Sequence, residues 1–149
     1  MSLWDWTLRA YARPGVADAC LKLQDDHGQN TSFLLWAVWA EGPPADRLTD
    51  AARWGRDWEA RVLAPLRDVR RTLKPAFPPV DETAREGLRE DVKAAELRAE
   101  RVLMETFEAL GDQAGSSGLP ALEALRAASA AWGPAAPDEA LAQLAARLA

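Results

Sequence analysis

One short segment gathers most of the side chains able to do chemistry. Leu23-Gln24-Asp25-Asp26-His27-Gly28-Gln29-Asn30 holds the only histidine, two adjacent carboxylates and three amides, three residues beyond the only cysteine, Cys20. A metal centre needs three or four converging N, O or S ligands, whereas the consecutive Asp25, Asp26 and His27 would diverge by about 100° each along a helix. A thiolate–imidazole pair needs hydrogen-bond reach, yet Cys20 and His27 stand two helical turns apart, about 10 Å at 1.5 Å rise per residue. No metal, cofactor or catalytic residue is therefore expected. What remains is a small polar ligand site built from Arg13, Gln24, Asp25, His27 and Asn30. A structural reading competes with it and is preferred. Imidazole at a helix C-terminus is favoured by the macrodipole by about 0.3–1 kcal/mol, and carboxylates there are disfavoured unless paired. Arg9 and Arg13 are the cations that would tie Asp25 and Asp26 into a polar knot.

A second pattern is cationic. Arg67, Arg70, Arg71 and Lys74 fall at i, i+3, i+4 and i+7, one helical face opposite Leu66, Val69 and Leu73. Such a stripe suits phosphates or an acidic partner. The net charge of −5 argues against general affinity for nucleic acid. Downstream stand Glu82, Glu86, Glu90, Asp91, Glu96, Glu100, Glu105 and Glu108, enough carboxylates to neutralise the stripe across an antiparallel contact. No glycine-rich phosphate loop, nucleophile elbow or HExxH pattern occurs.

The elements that position these residues are helical. Alternation of apolar and polar residues is absent, β-branched residues are few, and alanine and leucine dominate. Ser2 opens a first helix to about Arg13, with Trp4, Leu8 and Tyr11 on one face. A second helix from Pro14 buries Val16, Cys20, Leu23 and His27 and ends at Gly28, a residue suited to the left-handed C-terminal position. Asn30 caps the third, Phe-Leu-Leu-Trp-Ala-Val-Trp-Ala, which is apolar all round and so should be enclosed; Glu41-Gly42-Pro43-Pro44 stops it. From about Thr49 to Leu73 one apolar face recurs, with a kink expected at residues 61–65 because Pro65 removes a backbone hydrogen bond. The proline-rich segment 74–79 connects it to a helix of nearly thirty residues, capped by Asp81 or Thr83 and striped by Ala84, Leu88, Val92, Ala95, Ala99, Val102, Phe107 and Leu110. Residues 111–118 form a flexible loop by composition, followed by two short alanine-rich helices too short to stand alone. Those helices dock on their own domain by default, or reach a second subunit.

The expectation is a single all-α domain over residues 1–149, a bundle of about seven helices around a central apolar helix at residues 31–41. Seven tryptophans against one tyrosine imply an aromatic core. The longest apolar run, Phe33 to Ala40, is far short of the ~20 residues that span a bilayer. A lone cysteine and the lack of a leader-like N-terminus suggest a cytoplasmic protein.

Leu-Trp-x-Trp at 3–6, Tyr-Ala-Arg-Pro-Gly-Val at 11–16, Cys-Leu-x-Leu-Gln-Asp-x-His-Gly at 20–28, Leu-Leu-Trp-x-x-Trp at 34–39 and Pro-Leu-Arg-x-x-Arg-Arg-x-Leu-Lys at 65–74 occur in this order. Their order and spacing resemble a family of short all-helical bacterial proteins known only as a domain of unknown function. The resemblance implies a fold and no activity. Without converging catalytic groups, and with ample amphipathic helix surface, the reading is a non-catalytic module that binds a protein partner or itself. The ligand site at 23–30 and the anion or nucleic-acid stripe are the alternatives.

Overall fold

The structure, a computed structural model, describes residues 1–149 and consists of helices and connections, with no strand. In chain order the helices are α1 (Leu3–Tyr11), α2 (Val16–His27), α3 (Thr31–Trp39), α4 (Ala45–Trp58), α5 (Ala64–Thr72), α6 (Glu82–Leu110), α7 (Ala121–Trp132) and α8 (Asp138–Leu148). A π-helical turn, Glu59–Leu63, joins α4 to α5. Counting 45–72 as one interrupted helix gives the expected seven. The interruption falls where Pro65 predicts a kink, and takes the form of i→i+5 bonding that closes with the Ala64 N–H on the Glu59 carbonyl.

The chain gathers into two compact units, one of residues 1–54 and 104–149, the other of residues 55–103. In the first unit α3 is the enclosed element: every residue from Thr31 to Trp39 except Val38 is buried. Phe33 lies 5.6 Å from Phe107 and 5.3 Å from Trp132, and Trp36 stacks on Phe107 at 5.4 Å between ring centroids. Such pairs add about 0.5–1.5 kcal/mol each beyond their buried area. The indole N–H of Trp36 donates to the Gly111 carbonyl at 2.8 Å, so the buried ring leaves no donor unpaired. α7 packs on α3, and α8 packs on both α2 and α7. The C-terminal helices thus dock in cis. Between them Arg126 and Asp138 form a bidentate pair (2.5 and 2.9 Å), whose hydrogen bonds hold the Asp138 carboxyl below the usual carboxylate range.

Two expectations for this unit need correction. α1 buries Leu3, Thr7 and Ala10, while Leu8 and Tyr11 are exposed. Both stripes have helical spacing, and tertiary anchoring chose between them: the Leu3 N–H is bound by the Glu108 carboxylate at 2.9 Å. α4 starts at Ala45, directly after Pro43-Pro44, because proline suits the entry to a first turn. Thr49 is consequently inside the helix, its hydroxyl donating back to the Ala45 carbonyl at 3.0 Å.

The second unit is built differently. No residue of α5 is buried. Leu63, Ala99 and Leu103 are its buried apolar side chains, and Arg85, 5% exposed, is its buried cation. Trp58 donates its indole N–H to the Ala99 carbonyl at 3.1 Å. Asp81 caps α6 by accepting from the Ala84 N–H at 2.9 Å, as its position predicts. The stripe expected along α6 holds at Ala99 and fails earlier in the helix, where Ala84, Leu88 and Ala95 are exposed and Arg85 and Glu96 are drawn in instead.

Candidate functional site

The turn from α2 into α3 is held by backbone and amide chemistry. Gly28 ends α2 at φ 64°, a left-handed conformation that a Cβ disfavours, and its N–H returns to the Gln24 carbonyl. Asn30 accepts from the Phe33 N–H at 2.9 Å, the expected cap of α3. Buried Gln29 donates to the Pro134 carbonyl at 2.8 Å, and Trp132 donates its indole N–H to the Gly28 carbonyl at 3.2 Å. Segment 28–30 is thus the seat on which α7 and the connection to α8 are fastened.

The residues considered for a ligand site do not converge there. Gln24 and Asp25 are exposed, as is Asp26, while His27 is half-buried and Asn30 is engaged in capping. Arg13 leaves the group altogether and donates to the Leu148 carbonyl at 2.5 Å. The expected knot of Arg9 and Arg13 with Asp25 and Asp26 is therefore not formed. A C-terminal carbonyl of α8 offers the guanidinium a fixed, partly buried acceptor, and the aspartates keep their hydration instead. Burial pushes the Cys20 thiol up to about 11, against a smaller opposite effect of its hydrogen bond with Tyr11. It stays protonated at neutral pH and lacks the thiolate character of a nucleophile.

The cationic stripe is split. Arg67 pairs with Glu59 at 3.0 Å and approaches Glu96 to 4.0 Å; Arg70 grips Glu96 with Nε at 2.6 Å and Nη2 at 3.4 Å. The Glu96 contacts are those the acidic helix predicts, whereas Glu59, upstream in the π turn, is not among the expected partners. Arg71 and Lys74 stay exposed, with no carboxylate in ion-pair range. The stripe's periodicity is right, but the π turn and the partner helix decide which cations are spent.

Two groups escaped the sequence. Arg85 donates Nη1 to the carbonyls of Leu73 and Lys74 at 2.6 and 2.9 Å, and pairs through Nη2 with Glu82 at 2.7 Å. It closes the C-terminus of α5, where free carbonyls favour a cation. Nothing in the periodicity marks it, since it stands beside Ala84 of the apolar stripe. Glu100 is the other: burial first, then the nearby Glu59, raise its carboxyl above the ordinary range, with Arg67 acting the other way. A cavity of about 500 Å³ is lined by Lys74, Thr83, Arg85 and Arg89 together with the carboxylates Glu86 and Glu90. No three His, Cys, Asp or Glu side chains come together in an arrangement that could hold a metal ion. No helix is long and apolar enough to cross a membrane.

The recurrent sequence motifs now have physical explanations. Leu3, Cys20, Leu23, Leu34, Leu35, Trp36 and Trp39 are buried, and Gly28 is a turn residue. The motif spaced over 65–74 supplies the polar seam of Arg67 and Arg70 with Glu59 and Glu96. Most of these residues specify a fold, while Leu21, Gln24, Asp25, Arg71 and Lys74 are exposed. No curated protein and no solved structure matches the chain. The family model described as "Protein of unknown function (DUF2390)" matches residues 2–107, well over half of the chain and all of the 55–103 unit, and the protein belongs to that family.

Proposed function

We propose that the protein is a non-catalytic, cytoplasmic interaction module whose 55–103 unit receives a partner protein. One observation carries this reading. Of the nine exposed large hydrophobic side chains, five (Val69, Phe77, Val80, Leu88 and Leu97) lie in that unit, which has less than half of the chain's residues. Scattered exposed hydrophobics are ordinary. Here, however, α6 draws Arg85 and Glu96 inward and gives Leu88 and Leu97 to solvent, the reverse of a helix satisfied by its own core. Such an arrangement is stable in isolation only because the polar seam holds it, and it leaves apolar area to be buried by association.

The test is site-specific photo-cross-linking in the source cells. A photoreactive residue replacing Val69 or Leu97 is expected to give a discrete adduct with one protein, whereas the same residue at Leu21, equally exposed on the first unit, gives none. Equal labelling at all three positions, or none, would overturn the proposal.

A further inference from the structure

Resting on that reading, we infer that the segment from Arg71 to Val80 is the recognition element of the 55–103 unit, and that its partner is an acidic protein segment carrying a bulky apolar residue. Between Asp68 and Asp81 the chain has no acidic residue. Three cations lie in this interval. Arg70 is consumed by Glu96, while Arg71 and Lys74, one helical turn apart, are exposed and unpaired. The same segment exposes the side chains of Phe77 and Val80, with Phe77 at 50% exposure. Arginine and aromatic residues are enriched in protein interfaces, and this segment exposes one of each within six residues of chain.

The segment is also held in shape. Arg85 fastens the Leu73 and Lys74 carbonyls from below, and the Val80 N–H closes a turn on the Phe77 carbonyl at 2.8 Å. Pro75, Pro78 and Pro79 fix φ on both sides of Phe77. Because little freedom remains to be lost, binding through Phe77 costs less ordering entropy than it would from a mobile loop. This explains why a cation is buried in a unit with so few buried apolar side chains. Arg85 acts as the support of the recognition loop.

Other occupants fit less well. Two unpaired cations neutralise about two phosphates, against the 6–10 contacts of strong nucleic-acid binders. On an anionic bilayer two cations supply roughly 1 kcal/mol each, and one phenylalanine adds a weak anchor. Carboxylates opposite Arg71 and Lys74 with an apolar side chain against Phe77 engage both unpaired cations and the exposed ring at once.

A phage-displayed library of random peptides, selected on the full-length protein, tests this. The expected outcome is enrichment of peptides rich in Asp and Glu that contain Leu, Phe or Trp. Their binding should weaken as salt rises, and should fall about tenfold or more both in Phe77→Ser and in the pair Arg71→Glu/Lys74→Glu. All three positions are exposed, so circular dichroism and Tm should stay at wild-type values. Enriched peptides without acidic character, or affinities unmoved by both variants, would overturn the inference. So would tighter retention on phosphatidylserine vesicles or duplex DNA, or a concentration-dependent dimer lost in Phe77→Ser. If cross-linking at Leu97 still captured a protein in those cases, the interaction reading would survive and only the assignment of the loop would fail.

Discussion

The two units of this chain solve the same problem with different forces. In the 1–54/104–149 unit, α3 is sealed among α1, α2 and α7, and rings of Phe33, Trp36, Phe107 and Trp132 fill the space between helices. In the 55–103 unit α5 buries nothing fully, and ion pairs with Glu59 and Glu96 and the Arg85 cap take the place of a core. Charge follows the same division: eleven of the eighteen lysines and arginines fall within 55–103. The lesson is that aromatic packing and polar pairing leave different amounts of apolar surface exposed. The unit closed by its own rings exposes four large apolar side chains among 100 residues, and the unit closed by polar contacts exposes five among 49.

That contrast can be broken by substitution. The largest loss should follow Trp36→Ala, about 3–5 kcal/mol by denaturant unfolding, since a large ring and its bond to Gly111 disappear from a fully buried site. Next is Arg85→Ala, about 2 kcal/mol, because two carbonyls lose their partner. Hydrogen exchange should show the loss of protection confined to the 70–90 region. If Arg85→Ala cost more than Trp36→Ala, the distinction between the units would be wrong. Glu96→Gln should cost about 1 kcal/mol, since Arg67 keeps Glu59 while half-buried Arg70 loses its carboxylate.

Glu100→Gln works in the opposite direction. Its carboxyl is raised in the fold, so the stability it confers is full below the unfolded-state value and is lost as pH rises through the folded one. The glutamine variant should therefore be more stable than wild type at pH 7, by about 0.5 kcal/mol, and equal to it near about pH 4. Thermal melts across that range decide it. A variant less stable at neutral pH would show that the carboxylate is needed by Arg67. The smallest effect on stability belongs to Leu97→Ser, within about 0.5 kcal/mol, although it should reduce partner cross-linking.

Much of the fold was legible because helix signals are local. Gly28 and Asn30 mark the end of α2 and the start of α3, Asp81 caps α6, and the all-round apolarity of Phe33 to Trp39 announces enclosure. The neutralisation of Arg70 was readable from the acids downstream; that of Arg67 by the upstream Glu59 was not. The site was less legible. Arg13 had two plausible acceptors, nearby aspartates or a distant helix end, and only the docking of α8 brought the Leu148 carbonyl within reach.

The sequence by itself determined the helical class, the helix ends and the identity of the central helix, because capping, glycine conformation and 3.6-residue periodicity act within a few residues of chain. The tertiary structure alone decided which of two stripes on α1 turns inward, which four side chains form the seam of α5 and α6, and that Arg85 supports residues 73 and 74. Those choices depend on groups separated by up to 105 residues, where the free energy of a contact is set by the partner that packing delivers and not by the pattern in which the residue is written.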